Sequence, residues 1–112
     1  MRILFDQATP VPIRRYLKGH EVRTAAHQGW DRLKNGELLV ATETGGFDVL
    51  LTTEKNMRYQ QNLAGRKIAV VVVGLQQWPS LQPHVQLVVK AVNAAAPGSY
   101  TEIDFPIETS SG

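Results

Sequence analysis

Residues 68–73 read IAVVVV, six apolar positions in a row with no polar residue at alternate places. A strand with one face in water alternates. A strand covered on both faces does not. The β-branched valines are stiff at χ1 and suit a pleated strand better than a helix. This segment therefore asks for a parallel sheet with helices laid on both sides. The run is also far shorter than the roughly 20 apolar residues that a membrane helix needs, so no membrane span is expected.

The other segments repeat that demand. Residues 2–5 predict a short buried strand ended by Asp6. Thr9 and Pro10 form a helix start, with Thr as N-cap and Pro at the first helical position. That helix should run through Ile13, Tyr16 and Leu17 and stop at Gly19. Residues 20–25 predict a second strand, and 27–34 a loop or weak helical turn. Asn35 is expected to cap a helix over 36–44 with Leu38, Leu39 and Ala41 on its apolar face. Gly45-Gly46 ends it, and residues 47–52 predict the third strand. Asn56 caps an expected helix over 57–64, closed by Gly65, and 67–73 is the fourth strand. Leu81, Val85, Val88, Val89 and Val92 follow a 3.6-residue period and predict one more helix, ending before Pro97-Gly98. Residues 100–105 alternate like an edge strand. Strands alternating with helices in this way predict right-handed crossovers. The expected fold is a small three-layer α/β/α sandwich with a mainly parallel five-stranded sheet.

At 112 residues the chain predicts one domain, 1–106, with 107–112 as a tail expected to fray. It has no cysteine, which removes disulfides and zinc-thiolate sites. The opening MRILFD leads straight into strand-like sequence, so no signal peptide is expected and a cytoplasmic location is the reading. Net charge is +2, spread unevenly. Residues 1–67 hold 11 of the 12 Lys/Arg and 7 of the 10 Asp/Glu, giving +4. A weakly basic N-terminal two-thirds can attract phosphate, or can be an ordinary solvated surface.

The predicted topology sorts the acidic residues. In a parallel α/β sheet every strand ends, and every following helix begins, on one edge, where ligands bind. Asp6 ends the first strand, Asp31 and Glu37 lie in the second connection and the first turn of its helix, and Glu54 ends the third strand. All four belong to that carboxyl edge. Asp48 begins the third strand and belongs to the opposite edge. Carboxylates gathered at one rim repel one another unless they take up protons or a cation. Oxygen-only ligands suit Mg²⁺ or Mn²⁺. Each acid also has a plain structural reading, since acids near helix N-termini are stabilised by about 0.3–1 kcal/mol.

The remaining polar residues are less directive. His20, His27 and His84 lack ligand-like spacing, and no GxGxxG or GxxxxGK[ST] motif is present. Trp30 and Trp78 both fall in predicted carboxyl-edge loops, where they can stack on bases or cover the rim of the core. Arg14, Arg15, Lys18, Lys55 and Arg58 can meet phosphates or make a solvated face.

The segments RILFDQATP, GHEVRTA, NGELL and FDVLLTTEKNMRYQQNLAGRKIAVVVV, in that order over about residues 1–75, resemble the small PIN-like proteins, short relatives of the PIN-domain ribonucleases. The TTEKNMRYQQNL segment is the most specific part. The resemblance implies a PIN-like sandwich with an acidic centre that uses Mg²⁺ or Mn²⁺ to cut RNA with activated water. Residue by residue, Asp6 matches the first acid, Glu37 the helix acid and Glu54 the acid after the third strand, and these three would hold the metal. Asn56 stands where many relatives have a second Asp, and with Thr53 it would orient water or phosphate. Lys55 and Arg58 would steer the RNA. The resemblance also implies a toxin of a toxin–antitoxin pair, with an antitoxin protein as partner.

The alternative expectation is a non-catalytic module of the same fold, binding RNA or protein. Gln7 and Asn56, neutral where relatives often carry acids, are its basis. A phosphate-binding α/β domain is a further reading, on the helix N-termini alone. Homodimerisation is also expected to be feasible, through the Ala/Val-rich last helix.

Overall fold

The computed structural model describes residues 1–34, 36–55 and 63–105. Five strands, β1 (Arg2–Phe5), β2 (Glu21–Thr24), β3 (Val49–Thr52), β4 (Ala69–Val72) and β5 (Tyr100–Glu102), form one sheet in the order β2-β1-β3-β4-β5. Every pairing is parallel. β4 is buried at all four positions, as its unbroken apolar run requires. The helices are α1 (Gly36–Thr44), α2 (Trp78–Leu81) and α3 (Val85–Asn93), with 3-10 turns at Val11–Tyr16 and Gln82–His84. Among the described residues no helix is long and apolar enough to cross a membrane.

Two apolar cores lie against the sheet, separated by the alternation of its side chains. Ile3, Phe5, Val49, Leu51 and Val71 join Ile13, Leu17, Val88 and Val92 on one side. Leu4, Leu50, Val70 and Val72 join Leu38, Leu39 and Phe47 on the other. A layered α/β arrangement compatible with a sandwich follows directly, because the three central strands, β1, β3 and β4, are apolar on both faces.

Three local expectations change. The segment after β1 is a 3-10 helix with Pro10 as N-cap and no side-chain cap. Thr9 does not cap it: its hydroxyl is turned onto Asp6 and the Leu51 carbonyl. Pro12 removes the N–H of the third helical position, one of the two that such a cap could serve. The helix expected around residues 81–92 is divided, with a 3-10 turn between α2 and α3. Pro83 sits in that turn and cannot donate to the turn before it. β5 spans three residues rather than six, on the sheet edge beside β4. α1 has the expected bounds, 36–44, and Gly46 closes it at a φ of 81° that suits glycine. The predicted cap at Asn35, most of the helix expected over 57–64, and the 107–112 tail lie outside the described residues.

Candidate functional site

The strand order sets the site. The chain steps from β1 outward to β2, then returns past β1 to place β3 on its other side. Strand order thus reverses between β1 and β3, and the crevice beyond their carboxyl ends is where open α/β sheets bind ligands. Asp6 leaves β1 at that point and Thr53-Glu54 leave β3. The register keeps these ends level, since Phe5 pairs with both Thr24 and Leu51.

Asp6 is half-buried and held from three directions. Its backbone N–H donates to the Leu51 carbonyl at 3.1 Å. The Thr9 hydroxyl donates to Oδ1 at 2.6 Å and also lies 3.0 Å from the Leu51 carbonyl. One hydroxyl carries one hydrogen, and the shorter, charge-assisted contact with the carboxylate takes it. The Thr52 hydroxyl donates to Oδ2 of Asp6 and accepts the backbone N–H of Glu54 at 3.1 Å. A chain of hydrogen bonds therefore links the carboxylate after β1 to the backbone of the acid after β3. Thr9 and Thr52 are 4% and 1% exposed, so these hydroxyls have no water to turn to.

A cleft of about 450 Å³ opens at this edge. Asp6, Gln7, Asp31, Lys34, Glu54 and Gln76 give it polar walls. Ala25, Trp30, Leu33 and Leu38 give it an apolar side. Trp30 is braced edge-on by Phe47, ring centres 6.0 Å apart at 76°. The Glu54 carboxylate is exposed and has no side-chain partner among the described residues. Thr53 is buried, with its hydroxyl accepting from Gln76 Nε2 at 3.4 Å.

The other expected site residues fall as follows. Asp31 lines the cleft from the loop after β2. Glu37 is exposed in the first turn of α1 and is not among the lining residues, although Lys34 and Leu38 are. Lys55 reaches Glu102 at 3.8 Å with 72% of its side chain exposed, a pair worth little. Asn56 and Arg58 lie outside the described residues. Asp48 is at the opposite edge, accepting the Arg2 backbone N–H at 2.8 Å. Trp78 is not in the cleft; it packs on Tyr16 with ring centres 6.0 Å apart. Among the described residues no group of three or more His, Cys, Asp or Glu is gathered closely enough to hold a metal ion.

Sequence reasoning missed Thr9, Thr52, Lys34 and Gln76. Thr52 had a signal: a hydroxyl at the end of an otherwise apolar strand, on the edge where ligands bind. Thr9 had a competing one, since Thr before Pro also reads as a helix cap.

Asp6, Asp31 and Glu54 give the cleft carboxylate oxygens only, the donor type that hard divalent ions of the Mg²⁺ class take. Such an ion keeps several waters and takes one or two carboxylates plus phosphate oxygens. A carboxylate offers about four lone-pair sites, and the threonines take two of those on Asp6. Glu54 keeps all of its own among the described residues. Comparison with protein-family models, curated proteins and solved structures gives no match to the chain.

Proposed function

We propose that the chain is a metal-dependent endoribonuclease of the PIN-like type, acting in the cleft between the ends of β1 and β3. The observation that carries this reading is the pairing of Asp6 and Glu54 in one cleft, joined through Thr52. Asp6 and Glu54 would hold Mg²⁺ or Mn²⁺, whereas Glu37, expected as a third ligand, stands exposed on α1 outside the cleft lining. Bound there, the ion supplies positive charge to the phosphodiester and lowers the pKa of a coordinated water. The threonines fix the Asp6 carboxylate in one orientation, as partners behind metal ligands do. Lys34, exposed at the same cleft, offers a cation to the scissile phosphate. Thr53 and Asn56 orient the phosphate or the attacking water, and Lys55 and Arg58 draw the strand in. The biological setting that suits such an enzyme is the toxin of a toxin–antitoxin pair, neutralised by an antitoxin protein. The test is cleavage of RNA in Mn²⁺ by the wild type and by Asp6→Asn. Loss of cleavage in the variant is expected, and equal rates in the two proteins sink the assignment.

A second reading has its own support. Both oxygens of Asp6 are already engaged by threonine hydroxyls, and the described acids form no cluster of three. A non-catalytic PIN-like module that binds RNA or protein in the same cleft fits those facts. Calorimetric titration with Mn²⁺ separates the two. Saturable binding at micromolar to low millimolar metal favours the enzyme, and its absence favours the module.

A further inference from the structure

A second hollow of about 140 Å³ lies beside β2, lined by Arg14, Val22, Arg23, Thr24 and His27. Arg14, Arg23, Thr24 and His27 thus border one small space, from the 3-10 helix after β1, from the outer edge of the edge strand β2 and from the turn that follows it. Arg14 and the His27 ring have no partner among the described residues. Arg23 is only weakly neutralised. Its Nη2 lies 3.7 Å from Glu21 Oε2, an exposed contact, and the same oxygen is held more closely by Arg2 Nε at 3.1 Å. Thr24 Oγ1 accepts the His27 backbone N–H at 3.1 Å, which leaves its own hydrogen to donate. Among the described residues no carboxylate lines the hollow. At roughly 30 Å³ per water, the space holds about four or five waters, enough for one phosphate group.

The bordering residues are rich in donors and positive charge, and the one carboxylate beside them, Glu21, is shared with Arg2. Guanidinium forks match the oxygens of phosphate, and two of them around one site give more than point attraction. Position supplies the second argument. Thr24 lines this hollow and Ala25, the next residue, lines the acidic cleft. The two sites therefore lie on either side of the carboxyl end of β2.

We propose that this hollow is a phosphate-binding subsite, and that it takes a backbone phosphate of a nucleic-acid strand lying across the end of β2 into the acidic cleft. The nucleic-acid source rests on the function proposed above; the phosphate chemistry does not. Arg14 and Arg23 grip the phosphate oxygens, and Thr24 and His27 donate hydrogen bonds to them.

The test uses binding rather than cleavage, without divalent metal, so that it is independent of catalysis. A short 2′-O-methylated single strand is titrated into the wild type, Arg14→Ala, Arg23→Ala and Lys67→Ala. Lys67 is a charge control, since it precedes β4 at the opposite edge of the sheet. In parallel, inorganic phosphate is titrated while the Thr24 and His27 resonances are followed by NMR. Arginine variants that bind the strand about 3- to 10-fold more weakly, with salt slopes lower by about 0.7 to 1, support the strand, provided Lys67→Ala does not change. Phosphate-induced shifts at Thr24 and His27 with unchanged strand binding support the subsite and assign it to free phosphate esters. No phosphate shift together with equal strand binding by all four proteins overturns the proposal, whether or not the wild type cleaves RNA. Arg14 and Arg23 are exposed, so each variant is expected to fold. Thermal unfolding checks this.

Discussion

Thr52 donates its hydroxyl to the Asp6 carboxylate across the boundary between β3 and β1, and with the same oxygen accepts the Glu54 backbone N–H. One hydroxyl thereby ties together the two strand ends that flank the reversal of strand order. Thr52→Val keeps the shape and removes both roles. Because the site is buried, the unmet Glu54 N–H and the loosened carboxylate should cost about 1–2 kcal/mol, read by urea denaturation. Cleavage should fall about 10-fold or more, as when a partner behind a metal ligand is lost. A variant as stable as the wild type would show that the hydroxyl contributes nothing to the fold.

The two candidate acids on α1 and β1 should behave differently. Asp6 lines the cleft, whereas Glu37 stands exposed in a helix first turn and does not. Asp6→Asn should reduce RNA cleavage by about 10²-fold or more. Glu37→Gln should lose only about 0.3–1 kcal/mol of stability, the value of an acid at a helix N-terminus, and keep most of its cleavage. Parallel Mn²⁺-dependent assays on the two variants, with thermal melts, check both halves. Equal loss in the two would return Glu37 to the metal's own ligands.

The sequence makes the architecture legible for a physical reason. Apolar periodicity records which faces are covered, and residues 68–73 record it without ambiguity. From the alternation of strands and helices, the carboxyl edge follows, and with it the shared placement of Asp6 and Glu54. Side-chain hydrogen bonds are another matter. Thr9 is legible as a cap and is instead a carboxylate partner, because the same hydroxyl can serve either and only the fold decides which acceptor is near. Glu37 and Asp31 show the same limit. Both belong to the predicted edge, yet the cleft takes Asp31 and not Glu37, a distinction of loop path that spacing does not encode. Pro83, by contrast, was a readable break within the last helical pattern.

Away from the cleft, Glu43 joins the end of α1 to the entrance of β4. Its Oε1 accepts from Arg66 Nη1 at 2.7 Å and its Oε2 from the Lys67 backbone N–H at 3.2 Å. Both side chains are about 30% exposed, at 30% for Arg66 and 29% for Glu43. Partial burial and the second hydrogen bond lift this pair above an ordinary surface contact. Glu43→Gln should cost about 0.5–1.5 kcal/mol at low salt. The difference from wild type should shrink as salt is raised, since screening weakens only the charged version. Denaturation at two ionic strengths measures both effects, and a salt-independent difference would assign the loss to hydrogen bonding alone.

Gly45 connects the far end of α1 to the cleft wall. A Cβ added there would lie 2.9 Å from the Trp30 ring, 3.2 Å from the Ala41 carbonyl and 3.3 Å from the Phe47 ring. The backbone oxygen cannot yield and the Phe47 ring is buried, so the indole must move. Trp30 is part of the cleft lining, and displacing it reshapes the cleft from a residue that does not itself touch it. Gly45→Ala should therefore destabilise the protein by about 1–3 kcal/mol through overpacking and alter the fluorescence of Trp30. The chain has two tryptophans, so the measurement is made in a Trp78→Phe background, where Trp30 alone emits. Strand binding should weaken in the same variant. An unchanged emission spectrum with full stability would mean that the indole is not wedged between Gly45 and Phe47, and that the apolar side of the cleft is free to adjust.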